Sequence, residues 1–108
     1  IPTQTMRERK QIMEETADAF IMAPGGIGTY EEFFEILTLK QLSRHNKAIA
    51  VYNVGGFYDK LMDFLEHGIE EGFMTPACHK LFKLFDNAEE MLSYIESYVP
   101  ETTKYKNF

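Results

Sequence analysis

The chain has 108 residues, 44 % hydrophobic and 26 % charged, a balance that supports a packed core and excludes a disordered polymer. Eleven basic against seventeen acidic residues give a net charge of −6, which argues against non-specific nucleic-acid binding, a role that needs an excess of cations. The single cysteine, Cys78, has no intramolecular partner for a disulfide, which favours a reducing, cytoplasmic setting. No apolar run approaches the roughly 20 residues that span a bilayer, and no signal peptide is visible. The sequence opens on Ile1-Pro2 without an initiator methionine, which suggests a piece of a longer chain.

Taken in order, the apolar residues alternate between helical and strand-like spacing. Residues 5–16 read as a helix with Met6, Met13 and Ala17 along one stripe. Ala19 to Ala23 is apolar throughout, as expected for a strand buried on both faces. After the break at Pro24-Gly25-Gly26-Ile27-Gly28, a second helix is expected from about Thr29 to Ser43. Ala48 to Tyr52 reads as a second buried strand, followed by the loop Asn53-Val54-Gly55-Gly56. A third helix covers Tyr58 to Glu71 and closes at Gly72, a residue that tolerates the left-handed position. Thr75-Pro76 has the form of a cap and first residue of a short helical turn, and Leu81 to Phe85 that of an edge strand. Asn87, with Glu90 three residues on, caps a last helix to about Tyr98, which Pro100 ends. Strands separated by helices imply an α/β fold, a Rossmann-like parallel sheet with helices on both faces. We expect one domain over residues 1–100 and a loose tail over 101–108. About three strands make a narrow parallel sheet, which again points to a partial fold with its other strands upstream.

Gly25, Gly26 and Gly28 put three glycines into four residues between a buried strand and a helix, where open parallel sheets bind ligands. Such a loop lets backbone approach a ligand closely, and free N–H groups of the following first turn attract phosphate. The hydroxyl of Thr29 offers one more bond to a phosphate oxygen. A plainer reading stands beside this one: a tight turn with Thr29 as N-cap and Glu32 as its capping-box partner. The pattern is neither a Walker loop nor the GxGxxG fingerprint.

At about 100° per residue, Arg9 and Lys10 fall on either side of the apolar stripe of the first helix. For Lys10 the choice lies between snorkelling and a partner; Arg9 has the planar fork that matches phosphate or carboxylate. In the second helix Tyr30, Phe33, Phe34 and Leu37 form a face expected to cover the sheet. Ile36, Leu39 and Leu42 form a nearly opposite one, with Glu32 on its side. A helix apolar on two sides is buried on two sides, so a homodimer through the helix Thr29 to Ser43, or contact with more of the chain, is expected.

Met6-Arg7-Glu8-Arg9-Lys10 and Pro24-Gly25-Gly26-Ile27-Gly28-Thr29-Tyr30-Glu31-Glu32 together resemble the LONELY GUY family of cytokinin-activating phosphoribohydrolases, with its Met-His-x-Arg-Lys helix and PGGxGTxxE loop. Asn53 to Asp59 and Glu70 to Phe73 are similar to later family segments. The resemblance runs from about Met6 to Pro100 and corresponds to the second half of a family member. It implies hydrolysis of the N-glycosidic bond of a nucleoside 5′-monophosphate, an AMP-like substrate, in a Rossmann-like, usually dimeric enzyme. Arg9 and Glu32 match the catalytic pair, and Gly25, Gly26, Ile27, Gly28 and Thr29 match the phosphate loop, with Lys10 beside it. No metal or other cofactor is implied. Arg7 stands where the family usually has His, and Gly55 where it often has an acidic residue.

Two other function classes stay in view. One is a nucleotide-binding module without catalysis, or an inactive piece that only dimerises; the presence of Glu32 favours the enzyme. The other is a pyridoxal-dependent lysine decarboxylase, a label the family has often carried, for which His79-Lys80 is the only suggestive pair. His45, His67 and His79 lack metal-ligand spacing, and Cys78 reads as a small buried residue.

Overall fold

Three apolar runs become the strands of one parallel sheet in the computed structural model of the chain, which describes residues 18–99. They are β1 (Ala19–Met22), β2 (Ala48–Tyr52) and β3 (Lys83–Phe85), in the order β1-β2-β3. Between and after them run α1 (Ile27–Gln41), α2 (Asp59–Glu70) and α3 (Ala88–Ser97), with 3₁₀ turns at Val54–Gly56 and Pro76–Lys80. The α/β, Rossmann-like reading holds. The expected helix over 5–16, with Arg9 and Lys10, lies outside the described residues, as do Pro100 and the tail over 101–108.

Register fixes which side chains share a face. Phe20 pairs with Ile49 and Met22 with Val51 across β1 and β2, and Val51 with Leu84 across β2 and β3. These five point to one side, where they join Phe33, Ile36 and Leu37 of α1 and Leu65 of α2 in the larger core. Both crossovers step the same way across the sheet, so a common handedness puts α1 and α2 on that side. On the other side Ala50 and Phe85 pack with Met91, Tyr94 and Ile95 of α3. β2 is buried on both faces, as expected. β1 is not: Ile21, in register with Ala50, is 49 % exposed because α3 reaches over β2 and β3.

The faces of α1 also differ from expectation. Its buried residues are Phe33, Ile36, Leu37 and Lys40. Ile36 therefore belongs to the sheet face rather than to the opposite one, and Phe34 turns outward, 37 % exposed. Burial of each of the three apolar side chains stabilises the fold by about 2 kcal/mol, enough to dock the helix despite a lysine on the same face. The Lys40 ammonium, nearly fully buried, donates to the Leu81 carbonyl at 2.8 Å and the Tyr98 hydroxyl at 3.0 Å, which offsets its desolvation.

Both α1 and α2 end in the same hydrogen-bonded turn. After α2, Gly72 takes φ +82° as expected, with Gly72 N–H bonded to Ile69 O at 3.1 Å and Phe73 N–H to Gly68 O at 2.9 Å. After α1 the left-handed position is held by Ser43 at φ +62°, with Ser43 N–H on Lys40 O and Arg44 N–H on Leu39 O. His45 follows, its Nδ1 accepting from Lys47 N–H at 3.1 Å and its Nε2 lying 3.0 Å from the Ile36 carbonyl. An accepting Nδ1 leaves the proton on Nε2, so the ring is neutral and joins α1 to the start of β2. Asn87 caps α3 as read from the sequence, its Oδ1 accepting from Glu89 and Glu90 N–H. Thr75 is the N-cap of the turn that begins at Pro76, as read from the sequence, but its hydroxyl makes no cap bond and is buried without a partner.

Candidate functional site

The segment Ala23–Gly26 leaves the carboxyl end of β1 and turns directly into α1. The helix starts at Ile27, two residues earlier than the sequence suggested, with Gly26 as N-cap in extended backbone and no side chain bonded to the cap. Thr29 is therefore inside the helix, and the expected capping box with Glu32 does not form. The first intrahelical bond runs from Tyr30 N–H to Gly26 O at 3.1 Å. The N–H groups of Ile27, Gly28 and Thr29 come before it, so they present the positive end of the helix dipole, with no acidic side chain in that turn.

The three glycines are not equivalent. None has positive φ; the left-handed glycines are Gly55, Gly56 and Gly72. A Cβ on Gly25 would collide with Oγ1 of Thr29, so the loop closes on itself only because that atom is missing. A Cβ on Gly26 or Gly28 would meet nothing within 4 Å. Those two leave open space beside the helix end.

A cavity of about 540 Å³ lies between β1 and α1. Met22, Ala23 and Pro24 line one side, Gly28, Thr29 and Glu32 the other, with Phe20, Phe33 and Ile36 among its apolar walls. Glu32 sits four residues after Gly28, one helical turn along the same wall. A carboxylate and an uncapped helix end therefore share one cavity, an arrangement able to hold an anionic group at one end and to polarise water or stabilise positive charge at the other. Of the residues singled out in the sequence, Gly28, Thr29 and Glu32 line this cavity; Gly25, Gly26 and Ile27 adjoin it along the chain without lining it, Ile27 being 84 % exposed.

Sequence reasoning missed the residues that hold the loop. The Tyr58 hydroxyl donates to Ala23 O at 2.6 Å and the Tyr30 hydroxyl to Gly25 O at 2.7 Å. The two rings meet edge-on, 6.2 Å between centroids. Burial raises the Tyr58 pKa, with neighbouring Tyr30 adding to it and a backbone hydrogen bond at Gly25 opposing it, so this hydroxyl stays a donor. Asn53 stands behind Tyr58. Its Oδ1 accepts from Tyr58 N–H at 2.5 Å, its Nδ2 donates to Asp59 Oδ1 at 2.8 Å and its backbone N–H to Phe85 O at 2.6 Å. The available signal was Asn53 itself, a polar residue directly after a fully apolar strand, where a buried amide must find partners.

The other candidates resolve into structure. His79 and Lys80 are exposed, and His79 lies 3.1 Å from Glu66. Cys78 is buried, and burial, helped by Glu66, pushes its thiol pKa up, away from reactivity. Among the described residues no cluster of three or more His, Cys, Asp or Glu side chains is placed to hold a metal ion. Pyridoxal phosphate, which lysine decarboxylation implies, needs a Schiff-base lysine, and the described residues do not fit it. Among the described residues no lysine lines the cavity, and Lys40 is bonded elsewhere.

Comparison with known proteins extends the match beyond the loop. The family model described as "Possible lysine decarboxylase" matches residues 1–95. Cytokinin riboside 5'-monophosphate phosphoribohydrolase LOG2 of Arabidopsis thaliana is 42 % identical over 101 residues, 94 % of this chain and 47 % of that protein. Probable cytokinin riboside 5'-monophosphate phosphoribohydrolase LOG4 of Oryza sativa subsp. japonica is 48 % identical over 88 residues, 82 % of this chain and 38 % of that protein. Cytokinin riboside 5'-monophosphate phosphoribohydrolase LOG7 of Arabidopsis thaliana is 41 % identical over 96 residues, 89 % of this chain and 44 % of that protein. The chain spans less than half the length of each of these relatives. Since the family match runs through the glycine loop and on into α3, the chain belongs to the family so described, the LONELY GUY family.

Proposed function

We propose that the protein carrying this chain hydrolyses the N-glycosidic bond of a nucleoside 5′-monophosphate, releasing the free base and ribose 5-phosphate. The observation that carries this reading is the cavity shared by the uncapped end of α1 and by Glu32. In it the 5′-phosphate accepts from the N–H groups of Gly26 to Thr29 and from the Thr29 hydroxyl. One helical turn is about 5.4 Å, comparable with the span from a 5′-phosphate to the anomeric carbon, so Glu32 faces the ribose. As the bond to the base breaks, positive charge develops on the ribose, and a carboxylate stabilises it while accepting a proton from the attacking water. The departing base takes up a proton, so water is divided between the two products. Arg9 and Lys10 complete the site in this reading: Arg9 pairs with Glu32 in catalysis, and Lys10 neutralises the phosphate. The similar plant proteins are named for cytokinin riboside 5'-monophosphates, which makes an adenine-type base with a cytokinin side chain the substrate to try first.

Release of base from AMP and from its isopentenyl analogue, measured on the full-length protein, tests the proposal. Glu32→Ala is expected to lower kcat by at least about 10²-fold, with the circular-dichroism spectrum and phosphate affinity retained. Normal turnover by that variant removes Glu32 from the mechanism, and phosphate binding without turnover by the wild type reduces the protein to a nucleotide-binding module. We also propose a homodimer formed through α1. Its exposed apolar residues Ile27, Phe34 and Leu42 fall on one side of the helix at about 100° per residue.

A further inference from the structure

A loop that binds an anion through its N–H groups has to keep its carbonyl oxygens turned away, because a carbonyl dipole facing a phosphate repels it. The Gly25–Gly26 peptide is the weakest point in this respect. It is flanked by two residues without Cβ, so its plane can rotate more freely than any other in the loop. Within a trans peptide the C=O and N–H point in opposite directions. Whatever holds the Gly25 carbonyl therefore decides where the Gly26 N–H points.

The Tyr30 hydroxyl holds it, at 2.7 Å. This directs the Gly26 N–H away from Tyr30, while the space beside Gly26 stays open. One step earlier the Tyr58 hydroxyl holds the Ala23 carbonyl at 2.6 Å. Tyr58 is itself fixed: it is 2 % exposed, its N–H is bonded to Asn53 Oδ1 and its ring meets Tyr30 edge-on. Asn53 is anchored in turn to Asp59 and to the end of β3. Packing alone would be served equally by phenylalanine at either position; what the hydroxyls add is their bonds to the loop backbone.

We propose that Tyr30 and Tyr58 are positioning residues of the phosphate loop. Their hydroxyls hold the Gly25 and Ala23 carbonyls toward the paired tyrosine rings, and so present the Gly26 N–H together with those of Ile27 to Thr29 to the substrate phosphate. This rests on the loop being the phosphate site of the proposed reaction.

Tyr30→Phe and Tyr58→Phe, made in the full-length protein, keep the rings and remove only the hydroxyls. Each is expected to raise KM for AMP and the inhibition constant of inorganic phosphate about fivefold, the equivalent of one hydrogen bond. kcat should stay within about twofold. A purely structural role would lower the melting temperature without separating KM from kcat. That pattern, or unchanged phosphate inhibition in both variants, overturns the proposal while leaving the reaction standing. A wild-type protein that releases no base from AMP overturns the reaction and this proposal with it, and so tells the two failures apart.

Discussion

Gly25 and Gly26 are adjacent and chemically identical, yet the structure asks different things of them. At Gly25 an added methyl group meets the Thr29 hydroxyl; at Gly26 it enters open space. Gly25→Ala should therefore distort the loop in the free protein and cost about 1–3 kcal/mol of stability, the usual range for overpacking. Gly26→Ala should leave thermal stability within about 0.5 kcal/mol and instead weaken phosphate binding, because its methyl occupies space the ligand needs. Urea denaturation of each variant, paired with phosphate titration, checks both halves. Comparable loss of stability in the two variants would contradict the division of labour. The run of glycines in the sequence marked the loop as a place for close backbone approach, but not which glycine is packed against Thr29 and which faces open space. That distinction depends on the Thr29 rotamer, which composition does not carry.

At the scale of the element, α1 is the most informative helix because its sequence is apolar on more than one side. Such a helix has no unique phase on a wheel, and tertiary contacts choose the face. They bury Ile36 and expose Phe34, reversing the assignment of those two residues. What remains outside is Ile27, Phe34 and Leu42, at 84 %, 37 % and 58 % exposure. Phe34→Glu combined with Leu42→Glu should convert a dimer to a monomer in sedimentation without unfolding it, since neither side chain belongs to the core. An unchanged sedimentation coefficient would place the dimer contact elsewhere. The strands β1 and β2, the end of α2 at Gly72 and the Asn87 cap of α3 were all legible, because each rests on a local signal. The start of α1 was not. Thr29 carries the better capping side chain, but the backbone takes cap geometry at Gly26. The Tyr58 link was hidden for a different reason: Tyr58 and Ala23 are 35 residues apart, a separation no local pattern spans.

For the molecule as a whole, His45 makes stability depend on pH. Burial holds its pKa below the usual 6.5, the Ile36 carbonyl opposes this, and the charges of Lys40 and Lys47 add to the lowering. The unfolded chain takes up a proton near 6.5 while the folded one resists it. The contribution is therefore fully present above that pH and is lost as pH falls through the folded value. The urea midpoint should drop between pH 7.5 and pH 5.5, and His45→Gln, which cannot titrate, should show a smaller drop over the same interval. Equal drops in the two proteins would remove His45 as the cause. Carboxylates titrate in both and cancel in the comparison.

The two borders of the described sheet are unequal in their fitness to pair with another strand. β3 is three residues long, and its exposed Lys83 lies over the rings of Phe85 and Tyr94; short length and a lysine both discourage recruitment of a foreign strand. β1 carries no charge in Ala19–Met22, and among the described residues no strand lies along its outer border. Of the two borders, the uncharged one at β1 is therefore the better suited to pair with a further strand, and the short, lysine-bearing one at β3 is where the sheet ends.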